Sequence, residues 1–290
     1  MDNKDFPALY RSADRTSNEK QEQHLRLIKT EYGLLLLAAI FSMSQFSGTL
    51  FYAIYALIFA FLIGVLLTRA YLRPVQHWYR SRALAESAKT LTWRYMMKAS
   101  PFDNSVEHAS PRTEFSDHLR KLLHDNESVA ELGVPDWSNA SQITERMDGI
   151  RNLKWPERRE FYRVNRIRNQ RDWYTNKAIY NKRHARRWII TGVMAYAIAG
   201  AMTICRIWAK DWAIWPIEPI IVFASSIIGW MQLRKFGELA AAYHVTAQDI
   251  GFLEPALDEL KSDEEVASFV NDAELAFSRE HTMWVARQNL

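Results

Sequence analysis

Residues 32–68 read YGLLLLAAIFSMSQFSGTLFYAIYALIFAFLIGVLLT, 37 consecutive positions without Asp, Glu, Lys, Arg or His. At about 1.5 Å per residue one straight helix of that length would run roughly 55 Å, against a hydrocarbon core of about 30 Å. The run therefore folds back once. Ser42, Ser44, Gln45, Ser47, Gly48 and Thr49 supply a polar, turn-prone patch where backbone groups can reach water. The reading places spans at Ile28 to Met43 and Leu50 to Tyr71.

Moving outward, a second hairpin follows. Trp188 to Cys205 is uncharged over 18 residues, Arg206, Lys210, Asp211 and Trp212 mark a short wet loop, and Ala213 to Leu233 returns with only Glu218 charged. The fold class is thus an all-α integral membrane protein. It has two transmembrane helical hairpins, four spans in all, and long cytoplasmic helices forming a stalk. Composition alone would hide this, since 48% apolar and 24% charged residues suit a soluble chain. The single Cys, 10 Gly and 9 Pro in 290 residues exclude disulfide-built, collagen-like and low-complexity classes.

Lys and Arg near span ends set orientation. Arg69, Arg73, Arg80, Arg82, Lys89, Arg94 and Lys98 follow the first hairpin, and Lys177, Lys182, Arg183, Arg186 and Arg187 precede the second. The outer turns hold none in the first case and Arg206 and Lys210 in the second. Both termini and the centre are expected in the cytoplasm, with the chain crossing the membrane several times. The first 25 residues are polar and hold no apolar stretch of the signal-peptide kind, so the first hairpin is read as its own insertion signal.

The chain divides into a polar N-terminal segment (1–27), the first hairpin (28–71), cytoplasmic helices (72–124), a linker (125–150), a basic helix (151–187), the second hairpin (188–233) and acidic helices (234–290). Leu84, Ala88, Leu91 and Tyr95 recur at helical spacing, so the second span continues as a helix bent at Pro74. Gly133, Pro135, Asp136, Asn139 and Ser141 mark the linker. Residues 151–187 hold 13 Lys/Arg against Glu157, Glu160 and Asp172, with Phe161, Val164, Ile167, Tyr174 and Ala178 along one side. Residues 237–290 hold 11 acidic and 3 basic residues, with apolar stripes Ile250, Leu253, Leu257, Leu260 and Val266, Phe269, Ala273, Phe277. Opposite charge and inward stripes predict that the two stretches pack together. Ser262 with Glu265 is a capping-box signal. The halves share one plan, a repeat of architecture more than of sequence.

Two stretches carry a resemblance. Residues 79–102, YRSRALAESAKTLTWRYMMKASPF, and 160–188, EFYRVNRIRNQRDWYTNKAIYNKRHARRW, resemble the cytoplasmic helices of the SLATT family, the SMODS- and SLOG-associating two-transmembrane effector domains. SREHTMWVAR at 278–287, after acidic Asp272 and Glu274, resembles the family's closing helix. The likeness covers two fused copies, roughly 20–124 and 150–290. It implies a membrane effector of anti-phage or conflict defence that opens the inner membrane when a linked sensor makes a nucleotide signal. No nucleotide-making domain is fused here and no G-x-G-x-x-G or Walker loop occurs. Sensing is therefore expected from a partner protein or from the stalk.

Several residues are candidates for function. Arg166, Arg168 and Arg171 beside Trp173 and Tyr174 offer phosphate contacts and a stacking face for a ligand or partner. Pairing with the acidic tail and with anionic lipids accounts for the same charges, and a net charge of only +4 argues against strong nucleic-acid binding. Glu218 between Pro216 and Pro219 reads either as a pore or ion site or as an interface residue beside Trp215. Thr191, Ser225 and Ser226 can hydrogen-bond between helices, within one subunit or around a pore. Four helices give few walls, so a pore needs a homo-oligomer. Glu274, Ser278 and His281 share a helix face, but one helix cannot easily supply triad geometry and an oxyanion hole. The family resemblance implies instead a buried polar network with Trp284 beside it. Eight His without H-E-x-x-H and one Cys predict no metal site. No cofactor and no enzymatic activity are expected. The alternative to an effector is a non-conducting anchor that recruits a soluble partner.

Overall fold

A computed structural model describes residues 1–43, 48–103, 110–126, 141–209, 212 and 214–288, with the side chains of 279–288 outside that description. Among the described residues every regular element is helical. The long helices are α1 (Ala8–Ser42), α2 (Thr49–Leu72), α3 (Pro74–Met96) and α4 (Pro111–His124), then short α5 (Glu145–Arg151) and α6 (Trp155–Tyr162). A π-helical turn, Arg163–Arg168, leads into α7 (Asn169–Trp208), and α8 (Ile217–Arg234), α9 (Phe236–Glu259) and α10 (Asp263–Gln288) complete the chain.

Local chemistry sets the boundaries. Gly48, at φ 145, precedes α2 in a conformation that side-chain-bearing residues rarely adopt. Arg73 at φ 40 ends α2 and Pro74 opens α3, a break where the sequence placed a bend. Thr144 caps α5 by accepting from Met147 N–H. Ser262 caps α10 by accepting from Glu265 N–H at 3.2 Å, while the Glu265 carboxylate takes Lys261 N–H at 2.6 Å.

Two readings need correction. The stretch 151–187 is not one helix: it passes through the end of α5, α6 and the π turn before α7 begins. The end of the stretch read as linker, 125–150, is helical, and α5 buries Met147 and Ile150; residues 127–140, with Gly133, Pro135, Asp136 and Asn139, lie outside the described residues. Ser44, Gln45 and Ser47 of the first outer turn, and Lys210 and Asp211 of the second, lie outside them too.

The chain forms two compact units. The first is a helical body of residues 1–22, 74–172 and 247–290. Here α10 packs along α3, burying Val266, Val270 and Ala273 on one helix and Leu84, Ala85 and Ala88 on the other. Trp93, 1% exposed, stands among Phe6, Phe161 and Tyr162. Tyr95, Phe102 and Phe115 form a second aromatic cluster, against which the Arg151 guanidinium stacks while donating to the Phe102 carbonyl at 2.8 Å.

The second unit, residues 23–73 and 173–246, holds two antiparallel hairpins. At the open end of the first, Arg69 donates to Glu31 at 2.7 Å, and at its closed end Phe41 stacks on Phe51 and Tyr55. In the second, Tyr174 meets Tyr243, His184 meets Phe236 and Gly192 faces Ile227. Leu50, Phe61, Leu67 and Val193 are each more than 60% exposed, and Ile58 is the one buried residue of α2. Apolar surface on this scale is unfavourable in water and costs nothing in lipid. Two helical stretches, Thr49–Met96 and Trp155–Trp208, contain segments long and apolar enough to cross a membrane. Lys29 and Glu31 near the start of one further apolar run, and Glu218 and Arg234 at the ends of the other, leave α1 and α8 with shorter uncharged stretches.

Candidate functional site

The charged centre of the body is built by the π turn. A π turn holds more residues per turn than an α-helix, so it shifts the phase of everything after it. Val164, placed by α-helical spacing on the apolar side, is 44% exposed, whereas Arg166, read as a surface contact, is 3% exposed. Its guanidinium grips the fully buried Glu274 on α10 in a two-pronged pair, Nε and Nη2 each 2.7 Å from a carboxylate oxygen. Tyr162 donates its hydroxyl to Glu274 at 2.9 Å. The Arg166 plane also lies over Phe277 at 4.6 Å and Trp93 at 6.0 Å. Burial alone would push the Arg166 guanidinium down, but Glu274 more than reverses this and holds it above its ordinary value. Burial, then Glu274, hold Tyr162 well above the usual phenol range, so it remains a donor.

Four more cations extend this seam. Arg158, 1% exposed, pairs with Asp263, and Arg163 with Asp258. Arg168 and Arg171 share Glu254, at 2.5 and 2.6 Å. The hydrogen bond from Arg168 is the largest cause holding the Glu254 carboxyl below its ordinary value. The basic and acidic stretches therefore join inside the body, as their opposite charges predicted. Sequence spacing did not mark Tyr162, Trp93 or Arg158 as members, because their partners come from segments about 70 to 110 residues away in the chain.

The remaining candidates are placed as follows. Arg166, Arg168 and Arg171 are occupied by carboxylates within the chain, and Trp173 and Tyr174 make ring contacts with Tyr243. Glu274 is buried with Arg166 and Tyr162 as its hydrogen-bond partners. Ser278 is half-buried, and the side chains of His281 and Trp284 lie outside the described residues. Glu218 is exposed at the start of α8. Thr191 and Ser226 donate to carbonyls one turn back on their own helices, Arg187 at 3.0 Å and Val222 at 2.8 Å, and Ser225 is exposed. Gly192, Ala195, Ala199 and Ala224 are buried within the hairpin unit, so this small-residue face packs inside one chain.

Comparison with family models gives two matches in tandem. "SMODS and SLOG-associating 2TM effector domain 3" matches residues 7–159, and "SMODS and SLOG-associating 2TM effector domain 1" matches 162–284. The first match takes in the stretch read as linker. Comparison with curated proteins and with solved structures finds no match. The two matches belong to different subtypes, as expected of a repeat shared in plan more than in sequence; of the stretches on which the resemblance was read, 79–102 falls in the first match and most of 160–188 and 278–287 in the second. The chain belongs to the SLATT family of two-transmembrane effector domains and carries two of them fused end to end.

Proposed function

We propose that this chain is a bacterial inner-membrane effector of anti-phage or conflict defence that oligomerises and permeabilises the bilayer when its cytoplasmic helices receive a signal. The observation that carries the reading is the tandem of two effector domains on one chain. A parity argument supports four spans. Residues 1–22 and 74–172 pack into one body, so if α2 crosses the bilayer, α1 must cross it too; the same body includes 247–290, so a crossing by α7 requires one by α8. A chain crossing only at α2 and α7 would put Arg166 and Glu274 on opposite faces of the membrane, yet they are hydrogen-bonded.

A pore then needs several copies, since two hairpins packed on their own small residues leave no wide channel within one chain. The anchor alternative relies on the basic and acidic helices to recruit a partner, and Arg158, Arg163, Arg166, Arg168 and Arg171 are already held by Glu254, Asp258, Asp263 and Glu274. We read no catalytic role and no cofactor. The test is expression in a bacterial host carrying a potential-sensitive dye, with and without phage infection. Infection is expected to depolarise cells holding the full chain and not those holding a chain that lacks residues 188–233. Unchanged potential in both would contradict the effector reading and favour the anchor.

A further inference from the structure

The cations of the basic stretch fall into two groups. In the body, Arg158, Arg163, Arg166, Arg168 and Arg171 each hold a carboxylate. In the hairpin unit, Lys177 lies over the Trp173 and Tyr180 rings. The next four, Lys182, Arg183, Arg186 and Arg187, are exposed, and their side chains make no ion pair or hydrogen bond among the described residues. Their spacing puts Lys182 above Arg186 and Arg183 above Arg187, so one face of α7 stacks like charges at i, i+4. That arrangement is unfavourable in water without a counter-charge.

Their level on the helix identifies the counter-charge. Trp188, Ile189 and Ile190 follow at once, beginning the apolar span. His184, between the two cation pairs, stacks on Phe236, which Arg234 covers at 5.4 Å; Arg234 and Lys29 both lie against Trp230. Such a belt of rings and cations across α1, α7, α8 and α9 is the pattern of a membrane–water boundary. An open, mainly apolar cleft of about 330 Å³, lined by Ile228, Met231 and Phe236 with Gln232, Lys235 and Glu238 as its polar groups, lies on the same belt and suits an acyl chain.

We propose that Lys182, Arg183, Arg186 and Arg187 form a binding face for the phosphate headgroups of anionic phospholipids. The proposal rests on α7 crossing the bilayer, and on no pore. The test is native mass spectrometry of the full chain in detergent with equal phosphatidylglycerol and phosphatidylcholine. Wild type is expected to retain phosphatidylglycerol preferentially, on the order of tenfold, and less so in high salt. K182Q/R183Q/R186Q/R187Q should fall to near parity, and the pairs K182Q/R186Q and R183Q/R187Q should each lose part of the preference if the quadruple variant does not fold. R168Q/R171Q, which empties Glu254 instead, should keep the wild-type preference. Parity in wild type, or full preference in the quadruple variant, would overturn the proposal. So would an added single-stranded oligonucleotide that displaces the lipid from wild type. A chain that still requires detergent for extraction but shows no lipid preference fails this proposal and leaves the membrane reading standing.

Discussion

Arg166 shows at the residue scale how burial changes what a charge does. In water it would be a phosphate contact; at 3% exposure it is tied to one carboxylate, which it needs. Glu274→Ala leaves that guanidinium buried without a counter-charge and is expected to cost about 3–5 kcal/mol, read as a lower thermal midpoint in detergent. Replacing both residues, R166M with E274M, should recover most of the loss. His24 is the residue-scale pH prediction. It is buried, its Nδ1 has no hydrogen-bond partner among the described residues, and burial, then the nearby Arg69 charge, push its pKa down to about 4 from 6.5. The unfolded chain takes up the proton near 6.5 and the folded chain only near 4. Stability is therefore full above 6.5 and falls as pH drops from 6.5 toward 4. The thermal midpoint of wild type should decline across that window, and His24→Leu should flatten the decline.

At the element scale, Gly229 on α8 faces Tyr32 on α1. A Cβ built on Gly229 would sit 2.5 Å from the Tyr32 hydroxyl oxygen and 3.3 Å from the ring carbon bearing it. Gly229→Ala is expected to lower stability by about 1–2 kcal/mol, and by less in a Tyr32→Phe background, a coupling that a double-mutant cycle measures. Much of this scale was legible in the chain itself. The uncharged runs located the hairpins, Pro74 located the bend, and Ile250, Leu257, Val266 and Ala273 lie on the inward faces their spacing gave. What spacing could not give was the π turn, since no residue type encodes it and its effect is to re-phase Tyr162, Val164 and Arg166 together. Helix α5 was hidden for another reason. Seven residues are too short to show a period, and they hold their shape through burial of Met147 and Ile150.

The whole molecule joins its two domains inside one body. α10 belongs to the second domain and packs on α3 of the first, so neither can bury its apolar face alone. Removal of residues after Leu260 is expected to expose the surroundings of Trp93 and make α3 a site of rapid limited proteolysis. The sequence expected the acidic tail to meet the basic helix, and it does, but α3 as a partner was invisible because its apolar stripe carries no charge signature. The proposed four crossings rest on this shared body, and the lone Cys205, exposed near the C-terminal end of α7, is a built-in reporter of them. The decisive measurement is labelling of spheroplasts with a membrane-impermeant maleimide. Wild type should label through Cys205 while intact, and Ser110→Cys in a Cys205→Ser background should label only after permeabilisation. Labelling of Ser110→Cys in intact spheroplasts, or of Cys205 only after permeabilisation, would contradict two hairpins inserted from the cytoplasmic side.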